Sequence, residues 1–361
     1  MYAESIKENQ NANKNISIAH DWKFYNSTGK VIVCYYTLGT SIREWTLVPS
    51  EIDPHICTHI IIGFASIINC TVDIGTNFSI YRQIVNLKKS NVELKVMISI
   101  GNGNEPNSGF PEMVKNHANR KQFIKSVCNI IKTYKFDGLD LDWEFPAWLG
   151  SEEKQKIHFV QLIQEIRKEF DHSNRKLILS IAVAAPQAII DQSYNVPEIV
   201  DYVDFINLMS YDYHFYVWYF PVTGLNAPLY PSAMDSRSLA ALNVNFSAHY
   251  WVLKGMPRDK IVIGFVSYST ICQFLKCGAN NVFVNESKVP YAYKDNEWIS
   301  YDDNESVYYK AKWILDNGFK GAMIFSLNTD DWENRCNATQ NFPLTRNIAK
   351  ILKEKHPSIR N

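Results

Sequence analysis

The chain has 361 residues, of which 46% are hydrophobic and 13% aromatic, so it can build a large folded core. Lys and Arg number 37, and Asp and Glu also number 37, which makes the formal net charge zero. Because a nucleic-acid-binding protein usually carries a basic excess, this balance argues against a nucleic-acid partner. No segment is long and apolar enough to span a membrane, so no membrane partner is expected.

The cysteines and the Asn-X-Ser/Thr triplets point to an oxidising, extracellular environment. There are seven cysteines, and triplets that could carry N-linked glycans are dense along the chain. They include the triplets that begin at Asn26, Asn69, Asn77, Asn245, Asn285 and Asn337. Residues 1–29 are polar and rich in Asn and Lys, and they contain no apolar stretch typical of a secretion signal. We predict that they form a flexible leader.

From Lys30 onward, short apolar runs alternate with longer stretches of helical periodicity, which predicts a parallel sheet with crossover helices. Eight strands are predicted, which favours a closed β/α barrel. The alternative, a doubly wound open sheet, normally has a glycine-rich loop after its first strand, and this chain lacks one. The predicted strands are Val31–Tyr36, His59–Ala65, Lys95–Ile100, Gly138–Glu144, Lys176–Val183, Phe205–Met209, Lys260–Phe265 and Gly321–Ser326. The predicted helices include Lys121–Tyr134, Glu152–Phe170, Ser238–Leu253 and Val307–Asn317.

Two connections are longer than the rest, and both follow strands, where a barrel builds its active-site face. They cover residues 210–237 and 266–305. The second contains the short strand-like pieces Asn281–Val284 and Glu297–Ser300. It is either a small inserted subdomain or a long excursion of the chain.

Three acidic residues alternate along the fourth predicted strand. Side chains alternate between the two faces of a strand, so Asp140, Asp142 and Glu144 should all point into the barrel. Carboxylates so close together cannot all stay ionised, and at least one pKa should rise. Glu144, nearest the mouth, is the natural general acid. One alternative is a metal site, which usually recruits histidines as well, but no histidine lies near this segment. Another is a solvated acidic edge strand.

With this row of acids, the sequence resembles glycoside hydrolase family 18, the chitinase family. The segment from Asp137 to Glu144 fits the family signature Asp-X-X-Asp-X-Asp-X-Glu, and the resemblance runs from about Lys30 to about Ile351. Further similar segments are Lys95–Gly101, Met209–Asp212, Thr223–Tyr230 and Gly321–Asp331. The resemblance implies a (β/α)8 TIM barrel over residues 30–361, with a shortened α+β insertion at about 266–305.

The resemblance also implies the chemistry, which uses neither a metal nor a cofactor. Glu144 would protonate the glycosidic oxygen, and the substrate's own 2-acetamido group would attack the anomeric carbon. Asp142 would orient that group, Asp140 would tune its neighbours, and Tyr211 would donate a hydrogen bond to the acetamido oxygen. The residues that line the cleaved sugar would be Tyr35, Phe64, Met209 and Asp212, with Trp218 and Phe325 as aromatic platforms.

The family also has two disulfides, which would correspond to Cys34–Cys57 and Cys272–Cys336 here. That leaves Cys70, Cys128 and Cys277. Cys128 falls in an apolar helical pattern and is predicted to be a buried thiol.

The chain departs from the family pattern at several places. The third-strand motif continues Gly101-Asn102-Gly103-Asn104 instead of ending in two glycines and a tryptophan, and Leu38-Gly39 replaces a tryptophan after the first strand. Phe325 stands where the family has the tryptophan that floors the cleavage subsite. After Phe265, a long family segment is missing, so the wall of the cleft is expected to be reduced.

The family resemblance implies an extracellular, monomeric chitinase that acts on chitin or N-acetylglucosamine oligosaccharides. The rich supply of aromatic residues suits sugar rings, which stack on aromatic side chains. One alternative is a chitin-binding, lectin-like protein of the same fold with weak or no hydrolase activity, which the lost tryptophans favour and the intact Glu144 opposes. Another is an endoglycosidase acting on glycoprotein glycans.

Overall fold

The computed structural model describes residues 29–39, 47–101, 108–215, 218, 222–267, 271–336 and 340–354. The predicted leader before Gly29, the departure at Asn102–Asn104 and the triplets at Asn26 and Asn337 lie outside the described residues.

Eight parallel strands close into a barrel, which confirms the predicted fold class. The first strand pairs with the second on one side and with the last on the other, and this pairing closes the sheet. The barrel strands are β1 (Val31–Thr37), β2 (His59–Ile68), β4 (Lys95–Gly101), β5 (Gly138–Asp142), β6 (Ile178–Ala184), β7 (Phe205–Met209), β8 (Ile261–Val266) and β12 (Gly321–Phe325). A short β3 (Thr71–Asp73) pairs antiparallel with the end of β2.

Helices cross between the strands and cover the outside of the barrel. They are α1 (Phe78–Asn86), α2 (Phe110–Val114), α3 (His117–Tyr134), α4 (Lys154–Asp171), α5 (Gln187–Ser193), α6 (Val196–Ile199), α7 (Val244–Leu253), α9 (Asn304–Asp316) and α10 (Pro343–Lys353). Among the described residues, no helix is both long and apolar enough to cross a membrane.

One predicted helix is divided in the structure. Instead of a single helix over 238–253, a 3-10 helix covers Arg237–Ala241 and α7 begins at Val244. The break follows from Asn243, whose side-chain oxygen accepts a hydrogen bond from the backbone N–H of Phe246 at 2.8 Å. This is an N-cap, which starts a new helix rather than continuing an old one.

The two faces of β5 lie in different environments, as its alternating sequence predicts. Leu139, Leu141 and Trp143 are buried in the large cluster between the strands and the helices. Trp143 stacks on Phe110 of α2 with ring centroids 5.0 Å apart. The acidic side chains therefore lie on the opposite face, inside the barrel.

An additional unit follows β8, the seventh strand of the barrel. It consists of α8 (Ile271–Lys276) and a three-stranded antiparallel sheet of β9 (Asn280–Val284), β10 (Val289–Lys294) and β11 (Glu297–Ser300), with β10 in the centre. The outer two strands match the predicted strand-like pieces. β10 was not predicted as a strand, and its Pro290 is an unusual residue for a central strand.

Two disulfides link segments of the barrel and of the additional unit. Cys34 of β1 is joined to Cys57, which precedes β2, and Cys272 of α8 is joined to Cys336 in the segment after β12. These are the pairs that the resemblance implied. Cys70, Cys128 and Cys277 are not in disulfides. Cys128 is half-buried instead of fully buried, and burial, followed by the charge of Glu169, raises the pKa of its thiol to about 11.

Candidate active site

Three acids, two on β5 and one just beyond it, form a row from the barrel interior to its mouth. Asp140 is completely buried, Asp142 is 4% exposed, and Glu144 is half-buried two residues beyond the end of the strand. The row ends at the carboxyl-terminal side of the barrel strands, where β/α barrels carry their active sites.

Asp140 is surrounded by hydrogen-bond donors from four other strands. Its Oδ2 accepts from the hydroxyls of Tyr35 and Ser99, both at 2.7 Å. Its Oδ1 accepts from the hydroxyl of Ser180 at 2.6 Å and from Nδ2 of Asn207 at 3.1 Å. Burial raises the pKa of Asp140, and these four donors oppose that rise by stabilising the carboxylate.

Asp142 lies between two other carboxyl groups, and its surroundings act on its pKa differently from those of Asp140. Burial, then the charges of Glu144 and Asp140, raise its pKa well above the usual range. Its Oδ1 is buried without a hydrogen-bond partner among the described residues. A lone buried carboxylate oxygen is costly, so these surroundings favour the neutral form of Asp142 over the charged one.

Glu144 has the properties of a general acid that works near neutral pH. Burial and, second, the charge of Asp212 raise its pKa to about 6. A carboxyl with such a pKa is protonated in mildly acidic solution and can give up and recover its proton.

The segment after β7 brings Tyr211 and Asp212 to the same mouth. Asp212 adopts a left-handed backbone conformation (φ 54°), and its Oδ1 accepts a hydrogen bond from Nδ2 of Asn226 at 2.7 Å. Gly264 of β8 makes room for Tyr211, because a Cβ there would lie 2.8 Å from the Cε1 atom of the tyrosine ring. The need for a glycine at position 264, beside the Tyr211 ring, was not predicted from the sequence.

Four aromatic rings form an apolar floor inside the barrel mouth. Phe325 is at the centre, with ring centroids 5.7 Å from Tyr35, 6.3 Å from Phe64 and 6.2 Å from Tyr211. Met209 packs against the same cluster. Phe325 is partly exposed, so the floor is accessible from the mouth.

Most of the predicted site residues therefore lie together. Trp218 lies in the loop between β7 and α7 and is 80% exposed. The sequence analysis did not single out Ser99, Ser180, Asn207 or Asn226 as site residues. Asn207 carried a signal, since it is a polar residue within the apolar strand Phe205–Met209.

No group of three or more His, Cys, Asp or Glu side chains in the described ranges is arranged to hold a metal ion.

Comparison with known proteins relates this geometry to one family. The family model of the glycosyl hydrolases family 18 matches residues 31–330. Chitotriosidase-1 of Mus musculus is 32% identical over 364 residues, covering 89% of this chain and 78% of its own length. Chitinase-3-like protein 2 of Homo sapiens is 33% identical over 366 residues, covering 89% of this chain and 92% of its own.

Solved structures give the same result. An immunomodulatory active chitinase from Trichuris suis superimposes with a TM-score of 0.83 at 31% identity, covering 90% of this chain and all of its own. Human YKL-39, described as a pseudo-chitinase with retained chitooligosaccharide binding, has a TM-score of 0.84 at 32% identity and the same coverage. The family includes both chitinases and chitinase-like proteins, and this chain belongs to the glycosyl hydrolases family 18.

Proposed function

We propose that this protein is an extracellular, monomeric chitinase that hydrolyses β-1,4-linked N-acetylglucosamine polymers, with Glu144 as acid and base. The observation that carries the proposal is the state of the acid row. Glu144, at the accessible end, has a pKa of about 6, and its neighbour Asp142 is buried with one oxygen unpaired. Glu144 can therefore donate a proton, and Oδ1 of Asp142 beside it is available to accept a hydrogen bond from a substrate.

In the proposed mechanism, Glu144 protonates the glycosidic oxygen as the bond to the anomeric carbon breaks. The carbonyl oxygen of the substrate's 2-acetamido group attacks that carbon, which makes the reaction an exception to the two-carboxylate scheme. Asp142 orients the acetamido N–H and stabilises the positive charge of the ring intermediate, and Tyr211 donates to the acetamido oxygen. Glu144, now ionised, takes a proton from the water that completes hydrolysis.

Asp140 and the aromatic floor have supporting roles in this mechanism. The four hydrogen-bond donors around Asp140 favour its charged form. The Asp140 carboxylate can then accept a hydrogen bond from Asp142 once the Asp142 carboxyl group reorients. The central ring of the floor, Phe325, offers an apolar face to the sugar at the cleavage point. Among related structures, an Ostrinia furnacalis chitinase domain was solved with a bound N-acetylglucosamine oligomer, which supports this class of substrate.

The test is release of a fluorescent aglycone from chitobiose and chitotriose glycosides by wild type and by Glu144→Gln. We expect turnover by wild type and a loss of about a hundredfold or more in the variant, the scale of a missing general acid. Glu169→Gln is the matched control, because Glu169 is exposed near the C-terminal end of α4. Equal activity of wild type and Glu144→Gln would contradict the assignment.

A second candidate function is chitin binding with little or no turnover. Phe325 favours it, because phenylalanine presents a smaller stacking face than the family's tryptophan and has no N–H to donate. YKL-39 is a relative that binds chitooligosaccharides as a pseudo-chitinase. Retention on chitin beads without aglycone release by wild type would select this function.

A further inference from the structure

A groove of about 640 Å³ runs along α10, the last helix, on the outside of the barrel. Its walls come from α10, from the amino-terminal end of α9 and from the segment that precedes β2. None of its lining residues belongs to the candidate active site. We call it the α10 groove and define it by six of these residues, Asp53, Asn304, Arg346, Asn347, Lys350 and Lys353.

Three cationic side chains of α10 line the groove at helical spacing. Arg346, Lys350 and Lys353 stand at positions i, i+4 and i+7, so they lie on one face of the helix. They are separated by about 6 Å and about 4.5 Å along the helix axis. The groove therefore presents a row of positive charges, although the whole chain has a formal net charge of zero.

Two of these cations are held in place by neighbouring groups. Arg346 donates through Nη1 to Asp53 at 3.0 Å and through Nε to the backbone oxygen of Asn341 at 2.8 Å. Nζ of Lys353 donates to the backbone oxygen of His55 at 2.8 Å. A guanidinium carries five N–H donors and an ammonium carries three, so both groups have further donors to offer a ligand.

The acids of the groove do not balance its positive charge. Asp53 is the single acidic residue among the described residues that line it, and it pairs with Arg346. Lys350 is exposed, so its ammonium group is accessible to a ligand in solution. A local excess of positive charge attracts anions even where the net charge of a protein is zero. The groove therefore favours a ligand with several negative charges in a row.

Amide side chains add neutral hydrogen-bonding groups to the groove. Nδ2 of Asn347 donates to the backbone oxygen of Asn304 at 3.1 Å and to its Oδ1 at 3.4 Å. Amides both donate and accept hydrogen bonds, as sugar hydroxyl and acetamido groups require. No aromatic side chain is present among the described lining residues, whereas single-stranded nucleic acids bind by stacking their bases on such rings. These features favour an anionic sugar chain over a nucleic acid.

The cationic row leads away from the mouth of the barrel. Lys353 contacts His55, which lies just before β2 begins at His59. This end of the groove is therefore at the amino-terminal side of the strands, whereas the candidate active site opens at their carboxyl-terminal side. A ligand bound in the groove would leave the mouth free.

We propose that the α10 groove binds a linear sulfated polysaccharide, whose anionic groups contact Arg346, Lys350 and Lys353. A chain with a charge on every sugar can meet cations that are about one helical turn apart. A chain with a charge on every second sugar would meet fewer of them. The site is independent of the proposed hydrolysis and would hold the protein on a sulfated matrix while the mouth stays open.

The experiment measures binding of a chondroitin sulfate hexasaccharide by titration calorimetry at several salt concentrations. The variants are Lys350→Gln and the double variant Arg346→Gln/Lys350→Gln. We expect binding to weaken about threefold in the single variant and about tenfold in the double variant, the scale of lost exposed charge contacts. The slope of log Ka against log salt should become shallower by about one for each cation removed.

Lys132→Gln is the matched control, because Lys132 is an exposed lysine in the last turn of α3, as Lys350 is in α10. This variant should bind like wild type. An unsulfated chondroitin hexasaccharide, with a charge on every second sugar only, should bind wild type more weakly than the sulfated one. Thermal melting shows whether each variant folds, and Lys350→Gln tests the proposal even if the double variant does not.

Three outcomes would overturn the proposal. They are no binding of the sulfated hexasaccharide by wild type, equal binding by the folded groove variants and Lys132→Gln, and equal affinity for a single-stranded hexadeoxynucleotide. Glu144→Gln should bind the sulfated hexasaccharide like wild type. Failure of aglycone release would therefore overturn the proposed function and leave this site intact, and the reverse also holds.

Discussion

At the scale of single residues, the candidate site depends on how three adjacent acids divide their charge. Donors from four strands surround Asp140, and Oδ1 of Asp142 has no hydrogen-bond partner among the described residues. The charge of Asp212 raises the pKa of Glu144. Identical functional groups thus acquire different proton affinities from their surroundings alone.

The charge of Asp212 leads to a testable pH dependence. A negative neighbour disfavours ionisation, so Asp212 raises the pKa of Glu144. If Glu144 must be protonated to act, kcat/KM should fall as the pH rises through about 6. In Asp212→Asn, the midpoint of this fall should move to lower pH, as measured in pH profiles with a chitobiose glycoside.

Asp295→Asn is the control for this substitution. Asp295 lies in the turn between β10 and β11 and has the same left-handed backbone as Asp212, with φ values of 53° and 54°. Asparagine tolerates that conformation, so neither change strains the chain. An unmoved midpoint in Asp212→Asn would show that another group sets the alkaline side of the profile.

At the scale of elements, the first residue of β2 is a half-buried histidine. His59 packs edge-on against Phe205 of β7, and Thr58 contacts its Nδ1 at 2.8 Å. Burial, then the charges of Lys320 and Lys95, lower its pKa to about 4. Asp137 and Asp204 oppose this shift without cancelling it.

His59 should therefore make the fold less stable in acid. The unfolded chain binds a proton at this side chain near pH 6.5, and the folded chain only near pH 4. Between these values, falling pH favours unfolding, by on the order of 2 kcal/mol. In thermal melts between pH 7.5 and pH 4.5, wild type should lose more stability than His59→Gln.

The exposed His55 provides the comparison for this experiment. His55→Gln should follow wild type across the same pH range. A His59→Gln variant whose melting temperature falls in parallel with wild type would refute the role of this histidine.

The sequence predicted the elements better than the contacts between them. Alternation in Leu139–Glu144 was sufficient to place the acids inside, because that pattern is local. The β10 strand escaped prediction because Pro290 is unusual at its position, and the break before α7 depended on the single cap Asn243. The donors to Asp140 come from β1, β4, β6 and β7, and no local pattern specifies which residues of separate strands will meet.

At the scale of the whole molecule, a buried ion pair lies at the junction of the insertion and the barrel. Nζ of Lys310, on α9, donates to Asp302, just after β11, at 2.6 Å, and both side chains are almost wholly buried. Ser306 also donates to Asp302 at 2.7 Å.

Removing one partner of this pair should cost far more than removing both. Lys310→Met leaves the Asp302 carboxylate buried and uncompensated, which should lower the free energy of unfolding by about 3–5 kcal/mol. The double variant Lys310→Met/Asp302→Leu should recover most of that loss in urea unfolding. Lys115→Met, which breaks the exposed pair with Glu112, should cost less than about 1 kcal/mol. A double variant no more stable than Lys310→Met would contradict this account.

The closure of the barrel has a consequence for the order in which the protein can be made. Val31 of β1 pairs with Gly321 of β12, so the two partners are 290 residues apart in the chain. During synthesis, β1 can pair with β2 early, but its other edge has no partner strand until β12 has left the ribosome. An open strand edge recruits other chains. The nascent protein therefore needs protection from self-association until β12 has been synthesised, and premature termination before Gly321 would leave this edge permanently exposed.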